Sequence, residues 1–468
     1  MKKSTKNRLF TCLLLIASVT NVHAEDLLCL QSITYELFNN SVYIVKVDTV
    51  ERLMVIPDSI SFNEVNYPVE YICDSVFFKC DELHTIILPN TLLGIENNAF
   101  QGCHNLSEVI LSESLIYIEM CAFMDCCNLQ SIIFPSSIEW IEYSAFAGCY
   151  NLNRVIFNVS DSELTIGESA FKCCKGLSKI CFSSGLVEIG NGAFEGCREL
   201  NSFILPEGVR VIDEFAFRGC ETIDKIAIPS SVSRIGEGAF SICKSIKSIK
   251  VDNKNRIYDS REDCNAIIET SSNSIIQGCS NTTIPHNVSS IDYGAFCGMS
   301  IAPVVSLPDS IKCIKAKAFL DCSGLKYLLF NKNISELGSY AFSGCKDLLY
   351  VEFQDYGIED LSFCAFMNCK SLIEVKLGAG LKRISENAFQ NCYSLEVLRL
   401  PQGLTTIRSF AFSNCTNLKF MKVPDSITTI FFGAFSGCYS INFFPLEHKL
   451  NSKFENKKQL IALTQYYY

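Results

Sequence analysis

The stretch that decides the fold is residues 197–220, which read C-R-E-L-N-S-F-I-L-P-E-G-V-R-V-I-D-E-F-A-F-R-G-C. In its first half, Leu200, Phe203 and Leu205 have the apolar spacing of a short β-strand with one buried face. Pro206 has no backbone N–H, so it ends the pairing of that strand. The sequence therefore predicts one short strand near the beginning of the stretch.

The second half of the stretch holds a second apolar pair, Val209 and Ile212. After it, Ala216 and Phe217 are predicted to lie on a short helical or 3₁₀ segment whose Phe ring fills the interior. Gly219 then lets the chain turn into the next strand. One unit of this kind is too small to bury its own apolar face, so the pattern indicates stacked copies that share a core.

The unit recurs along nearly the whole chain, with Val76-Phe77 as a degenerate first copy. Later copies end in an Ala-Phe pair. The Phe residues of successive copies are usually separated by 23 residues, with three exceptions of 25, 24 and 56 residues. With stacked strands about 4.8 Å apart, the predicted fold is a right-handed solenoid of about 16 coils, built from short parallel strands and short helical or 3₁₀ segments. The Phe residues of these pairs are Phe100, Phe123, Phe146, Phe171, Phe194, Phe217, Phe240, Phe296, Phe319, Phe342, Phe366, Phe389, Phe412 and Phe435.

A cysteine follows nearly every such Phe by three residues, and only Met299 breaks this column. Equivalent side chains on stacked coils lie about 4.8 Å apart, which is wider than the roughly 3.8 Å between the Cβ atoms of a disulfide. This favours a column of buried free thiols over a ladder of disulfides. The column contains Cys80, Cys103, Cys126, Cys149, Cys174, Cys197, Cys220, Cys243, Cys322, Cys345, Cys369, Cys392, Cys415 and Cys438.

Residues 1–24 have the pattern of a secretory signal peptide. Lys2 and Lys3 belong to a positive beginning, residues 9–19 are apolar, and Val22-His23-Ala24 has the small residues of a cleavage site. We expect an exported mature chain without a transmembrane helix, because no second apolar span is long enough to cross a bilayer. An acidic composition, with 50 Asp and Glu against 40 Lys and Arg, and no basic stripe argue against a nucleic-acid partner.

The repeat, written L-x-x-I-x-L-P-x-x-V-x-x-I-x-x-x-A-F-x-x-C, resembles the BspA-type leucine-rich repeats of bacterial surface proteins over roughly residues 50–445. The resemblance implies a leucine-rich-repeat-like solenoid on the cell surface or outside the cell. It also implies adhesion to host matrix or plasma proteins, or to other microbes. A glycan- or envelope-binding structural surface protein is the alternative, for which Tyr327 and Tyr350 are the only suggestive outward pair of aromatic residues.

The repeat register divides the chain into four parts. Residues 1–24 are the signal peptide, 25–72 an N-terminal cap, 73–438 the solenoid and 439–468 a C-terminal cap or tail. Caps are expected because an open end would expose core and a strand edge. The 56-residue gap corresponds to an irregular long coil at about residues 252–285.

A hairpin is predicted inside this long coil, with Ile267 opposite Ile276 and Ile268 opposite Ile275. That register places Cys264 opposite Cys279. Two interpretations stay open: a protrusion pinned by a disulfide between these two cysteines, or two buried thiols in an elongated coil.

The sequence lacks the common enzymatic and metal-binding motifs. It contains no G-x-S-x-G, no G-x-x-x-x-G-K-[ST], no H-E-x-x-H and no C-x-x-C, and its histidines lie scattered on different coils. We therefore expect a binding protein without catalytic residues, cofactor or metal.

The candidate binding residues lie seven positions after each column cysteine. Because the residues at six and eight point inward, the one at seven points outward. This position is apolar in the first half of the chain and charged in much of the second. Either the stripe binds a protein partner, or its isoleucines merely favour strand formation. The candidate stripe is Ile87, Ile110, Ile133, Ile156, Ile204, Lys376, Arg399 and Lys422.

Overall fold

The computed structural model of the protein describes residues 27–443 except 31, 356 and 422. Within these residues the chain is a β-solenoid of about 17 turns with parallel strands and almost no helix. The predicted solenoid is confirmed, with about one turn more than the count from the repeats. The predicted signal peptide, residues 1–24, and the chain beyond residue 443 lie outside the described residues.

The first strands of the described chain begin the stack. β1 pairs antiparallel with β2, and β2 with β3. β3 then pairs parallel with β6, and β6 pairs parallel with the first coil strand of its row. The parallel pairing of this row therefore begins between β3 and β6. The bounds are Leu27–Leu30 (β1), Ile33–Phe38 (β2), Ser41–Val47 (β3), Leu53–Val55 (β4), Ser59–Phe62 (β5) and Val65–Ile72 (β6).

Each regular coil contributes to two rows of strands. Strands of the first row begin five residues after the column cysteine or Met299, or four in the last strand, and β4 pairs with the first of them. Its strands are Thr85–Ile87 (β7), Glu108–Ile110 (β9), Ser131–Phe134 (β11), Arg154–Phe157 (β13), Lys179–Cys181 (β15), Lys225–Ile228 (β18), Ser248–Val251 (β20), Val304–Ser306 (β25), Tyr327–Leu329 (β27), Tyr350–Glu352 (β29), Glu374–Lys376 (β31), Val397–Arg399 (β33), Phe420–Met421 (β35) and Asn442–Phe443 (β37).

The second row lies in the other half of each coil. Its strands are Gly94–Ile95 (β8), Tyr117–Ile118 (β10), Trp140–Ile141 (β12), Leu164–Ile166 (β14), Leu186–Ile189 (β16), Val211–Ile212 (β17), Arg234–Ile235 (β19), Tyr258–Asp259 (β21), Ile267–Glu269 (β22), Ser274–Gln277 (β23), Ser290–Ile291 (β24), Cys313–Ile314 (β26), Glu336–Leu337 (β28), Asp360–Leu361 (β30), Arg383–Ile384 (β32), Thr406–Ile407 (β34) and Thr429–Ile430 (β36).

The Ala-Phe segments are turns, so the predicted short helices are wrong. Residues two before and two after the Phe have positive φ, as Phe215 (54°) and Gly219 (73°) do around Phe217. Such left-handed residues interrupt a helix. The turns instead pair with their neighbours along the stack, where the Phe217 N–H donates to the Ala239 carbonyl at 2.7 Å. Among the described residues, the one 3₁₀ helix is Arg261–Asp263.

The Phe rings of these turns form the core. They stack nearly parallel from coil to coil, with ring centroids 4.8 Å apart at Phe77 and Phe100 and 5.4 Å apart at Phe217 and Phe240. A second run of stacked rings continues from Phe296 to Phe435. The inward prediction for this column is confirmed, because these side chains are buried.

The strand predicted from residues 197–220 is wrong in that unit itself. No strand of the first row is assigned between β15 and β18, and one isolated bridge joins Lys179 to Ser202. Phe203 is half-buried and stacks on Phe217 at 4.6 Å, while Leu205 is buried. The alternation of inward and outward side chains therefore holds here although the ladder is interrupted.

The long coil is built into the stack, so the structure shows an elongated coil, the second of the two arrangements left open by the sequence, and not a protrusion. Ile267, Ile268 and Ile275 of its hairpin are fully buried, and β23 continues in parallel to β24. Ile268 lies opposite Ile275 as predicted. Ile267, however, pairs with Gln277 rather than Ile276, because a bulge shifts the register.

Candidate functional site

The predicted isoleucine stripe lies on the outward face of the first strand row. Ile110 and Ile133 are 46% and 55% exposed, while Ile87 and Ile156 are half-buried. Ile87 is in register with Ile110, and Ile133 with Ile156. The strand row thus brings these four side chains onto one surface of successive coils.

Ile204 does not belong to this surface. It is 84% exposed but lies outside any assigned strand, in the interruption between β15 and β18. In the coil before it, the equivalent position is held by Cys181, which is exposed and in register with Ile156. The continuous apolar surface therefore ends near Cys181.

Polar side chains flank the isoleucines on the same outward face. Two residues before each isoleucine stand Glu108, Ser131 and Arg154, all exposed on β9, β11 and β13. A partner would meet a narrow apolar strip with a polar edge, which is the usual anatomy of a protein interface.

In the second half of the chain, the stripe is basic and partly neutralised. Lys376 and Arg399 are in register on β31 and β33. The Lys376 ammonium lies 3.7 Å from the Glu352 carboxylate and 5.2 Å from the centroid of the Tyr350 ring. Lys422 lies outside the described residues.

This arrangement also bears on the aromatic pair suggested for glycans. Tyr327 and Tyr350 are in register on neighbouring strands, as expected, but the Tyr350 hydroxyl donates to Glu352 at 2.6 Å. Because Lys376 covers the Tyr350 ring, that face is occupied and does not offer a free stacking platform for a sugar.

A polar groove runs along the stack just before strands β7 to β13. It has a volume of about 390 Å³ and lies between two rows of side chains. The side chains of the first row stand two residues after a column cysteine, and those of the second row stand four residues after it. In the first row, the Asn128 side-chain amide donates to Oδ1 of Asn105 at 3.5 Å, and the Asn151 amide donates to Oδ1 of Asn128 at 3.1 Å. The complete lining is His84, Asn105, Ser107, Asn128, Gln130, Asn151 and Asn153.

A tyrosine ladder marks the outward face of the second strand row. The rings of Tyr43 and Tyr71 stack at 4.6 Å, and those of Tyr71 and Tyr117 at 6.5 Å. Between the last two lies Gly94, where a Cβ atom would stand 2.2 Å from the Tyr117 ring. Glycine therefore lets the ladder cross a coil that lacks an aromatic residue. Stacked rings cover one another's faces, so this ladder is better suited to stability than to ligand stacking.

Carboxyl groups stand in the neighbouring column of the same face. Burial, with the nearby carboxylates of Glu119 and Asp74, raises the pKa of Glu96 to about 7. Burial, with Asp74 and Glu142, likewise raises the pKa of Glu119 to about 7. Near neutral pH this surface carries less negative charge than its sequence indicates.

Apart from the half-buried Cys80, the column cysteines are buried free thiols, and their packing explains why the position is cysteine. Each thiol from the second coil onward donates to the Phe carbonyl of the preceding coil, as Cys220 does to Phe194 at 3.2 Å. That carbonyl also accepts the Cys197 N–H of its own turn. Burial raises the pKa of Cys103 and of Cys243 to about 12, so these thiols are protonated and unreactive at neutral pH.

In the long coil, Cys264 and Cys279 are also buried and free. The Cys279 thiol donates to the Asn265 carbonyl at 3.4 Å. This is the second of the two arrangements left open by the sequence, and a disulfide between the two stays a prediction for a thiol assay.

Neither a metal site nor a membrane span is found in the described part of the chain. Within residues 27–443, the gaps aside, no group of three or more His, Cys, Asp or Glu could hold a metal ion. Over the same residues, no helix is long and apolar enough to cross a bilayer.

The groove is the surface that the sequence interpretation missed. Its signal is present, because Asn recurs two residues after Cys103, Cys126 and Cys149. These residues precede the strands, whereas the outward stripe was predicted from positions within the strands.

The comparisons with known proteins agree on the fold. The family model described as BspA type leucine rich repeat region matches residues 57–164, 164–276, 267–361 and 351–460. A leucine-rich repeat protein from Bacteroides ovatus is 24% identical, with a TM-score of 0.58, and the match covers 92% of this chain and 97% of that one. A leucine rich cell surface protein from Faecalibacterium prausnitzii is also 24% identical, with a TM-score of 0.57 and coverages of 94% and 99%. No curated protein matches the chain.

Proposed function

The chain belongs to the BspA-type leucine-rich repeat family, and from this premise we propose that it is an exported surface protein that binds a protein partner through Ile87, Ile110, Ile133 and Ile156. The single observation that supports the site is the exposure of Ile110 and Ile133 at equivalent positions of neighbouring coils. A contiguous apolar surface on an otherwise polar protein usually marks an interaction site. The partner is a host matrix or plasma protein, or a protein on another microbe.

Export and the division of the chain are part of the same proposal. Residues 1–24 would be removed as a signal peptide, leaving residues 25–72 as the N-terminal cap, 73–438 as the solenoid and 439–468 as a C-terminal cap or tail. The strands β1 to β6 support a distinct first part, because they include antiparallel pairs that the regular coils lack. No catalytic role is proposed.

The test is a triple substitution of Ile110, Ile133 and Ile156 by Thr. Thr keeps the β-branched shape that favours strands, but it removes apolar contact area from the proposed interface. A loss of about 1 kcal/mol per position would weaken binding about hundredfold. Binding is measured against purified matrix and plasma proteins and against intact microbial cells, after circular dichroism shows that the variant is folded.

Ile204→Thr is the matched control, since it makes the same change at an exposed isoleucine outside the strand row. We expect it to bind like the unchanged protein. If the triple variant also binds as tightly as the unchanged protein, the isoleucines serve strand formation alone.

The basic residues of the second half are proposed to act on association rate. Replacing Lys376, Arg399 and Lys422 by Gln should slow association with an acidic partner at low salt and have little effect at high salt. If the association rate of the variant at low salt equals that of the unchanged protein, these three residues do not belong to the binding site.

A further inference from the structure

The groove beside β7 to β13 is a local feature that the fold does not require. The position two residues after the column cysteine is Asn105, Asn128 and Asn151 here, but Gly176 in the next coil. In the second half of the chain the same position is held by residues such as Asp347, and the coils stack there equally well. The three consecutive amides are therefore an addition to the repeat, and they call for a functional explanation.

The lining of the groove is polar and uncharged apart from the single imidazole of His84. A site for a charged ligand usually contains side chains of the opposite charge, and a site for an apolar ligand usually has apolar walls. Each amide has two N–H donors and an oxygen that accepts two bonds, so the Asn row keeps donors and acceptors for a ligand after its own internal bonds. Paired donors and acceptors without charge match the hydroxyl groups of a sugar.

We propose that this groove binds a neutral oligosaccharide, held by the side-chain amides of Asn105, Asn128, Gln130 and Asn151. The volume of about 390 Å³ lies within the range of small-ligand sites. The inference goes beyond the protein-binding proposal, because it concerns a different surface and a different class of ligand.

An extended peptide is the competing occupant, and the repeat of the coils disfavours it. The coils that line the groove repeat at 4.8 and 5.0 Å, measured between the centroids of their Phe rings. The backbone groups on one side of an extended peptide recur every two residues, at about 6.6 Å. A peptide lying along the groove would fall out of register with the Asn row after one or two coils.

The test is the double variant Asn128→Ala/Gln130→Ala, which removes the central amide from both walls of the groove. The probes are neutral tetrasaccharides of glucose, mannose, xylose and N-acetylglucosamine, an anionic oligogalacturonate and an uncharged decapeptide. Titration calorimetry on the full chain should detect at least one neutral tetrasaccharide, and the double variant should bind it about tenfold or more weakly.

The matched control is Asn201→Ala/Asn417→Ala, which removes exposed Asn side chains at the same two repeat positions outside the groove. Both variants are first shown to have unchanged circular dichroism and thermal midpoints. Binding of a neutral tetrasaccharide by the control, with loss in the groove variant, supports the proposal. Binding of none of the neutral probes, binding of only the oligogalacturonate or the peptide, or equal loss in both variants would overturn it.

The isoleucine variant separates this inference from the protein-binding proposal. Ile110→Thr, Ile133→Thr and Ile156→Thr together leave the groove amides intact, so the triple variant should keep its sugar affinity. A combined loss of protein and sugar binding in that variant would show that the two surfaces form a single site, which would contradict an independent sugar groove.

Discussion

Phe217→Ala is expected to lower the free energy of unfolding by about 3–5 kcal/mol. Phe217 is fully buried, and its ring stacks between those of Phe194 at 5.3 Å and Phe240 at 5.4 Å. Phe203 adds a third stacked contact at 4.6 Å. Truncation removes ring contacts with two neighbouring coils at once, and in a repeat protein that loss weakens both interfaces. Denaturant unfolding of the full chain, followed by circular dichroism, measures the change.

Phe432→Ala is the control for this experiment because Phe432 is 66% exposed. We expect it to change stability by less than about 0.5 kcal/mol. A change of under about 1 kcal/mol for Phe217→Ala would contradict the continuous aromatic core.

Gly236→Ala is expected to destabilise the fold by about 1–3 kcal/mol, the usual range for added atoms in a tightly packed site. A Cβ atom at Gly236 would lie 2.2 Å from the Glu214 nitrogen and 2.5 Å from the Asp213 carbonyl carbon. Both are backbone atoms of the preceding coil, so no side-chain rotation relieves the clash. Thermal unfolding of the full chain is the measurement.

Gly403→Ala provides the comparison. There the nearest atom to a Cβ would be the Lys382 ammonium at 3.1 Å, the far end of a flexible side chain. We expect a smaller change at this position than at Gly236. Equal thermal midpoints for the two variants would show that the coils have more room between them than the structure indicates.

The sequence predicts the repeat, the core and the outward stripe, because these depend on local spacing. Phe217 and Cys220 are buried as their positions in the unit require, and Ile110 points outward between buried Val109 and Leu111. This alternation follows from strand geometry alone.

Features that depend on backbone conformation or on contacts between coils could not be predicted in this way. The segment around Phe217 reads like a short helix, but positive φ angles on either side of the Phe make it a turn. Phe203 keeps its inward position without a strand ladder, and the hairpin at Ile267 packs into the stack instead of projecting from it. Each outcome is set by the neighbouring coil.

The groove illustrates the same distinction at the level of function. Asn105 and Asn128 are 23 residues apart in sequence, yet the stack places their amides within 3.5 Å. The side-chain amides of Asn105 and Asn128 form one continuous surface only because the coils stack in register. The cysteine column is similar, since the acceptor of the Cys220 thiol is the carbonyl of Phe194 in another coil.

We propose that a protein partner covers the outward face of β9, β11 and β13. This is tested by hydroxyl-radical footprinting of the full chain, alone and bound to a protein captured from the matrix, plasma and microbial panel. We expect modification of Ile110 and Ile133 to fall on binding, while modification of the exposed Ile204 and Phe432 stays unchanged. Failure to capture any partner, or protection confined to residues away from β9, β11 and β13, would contradict it.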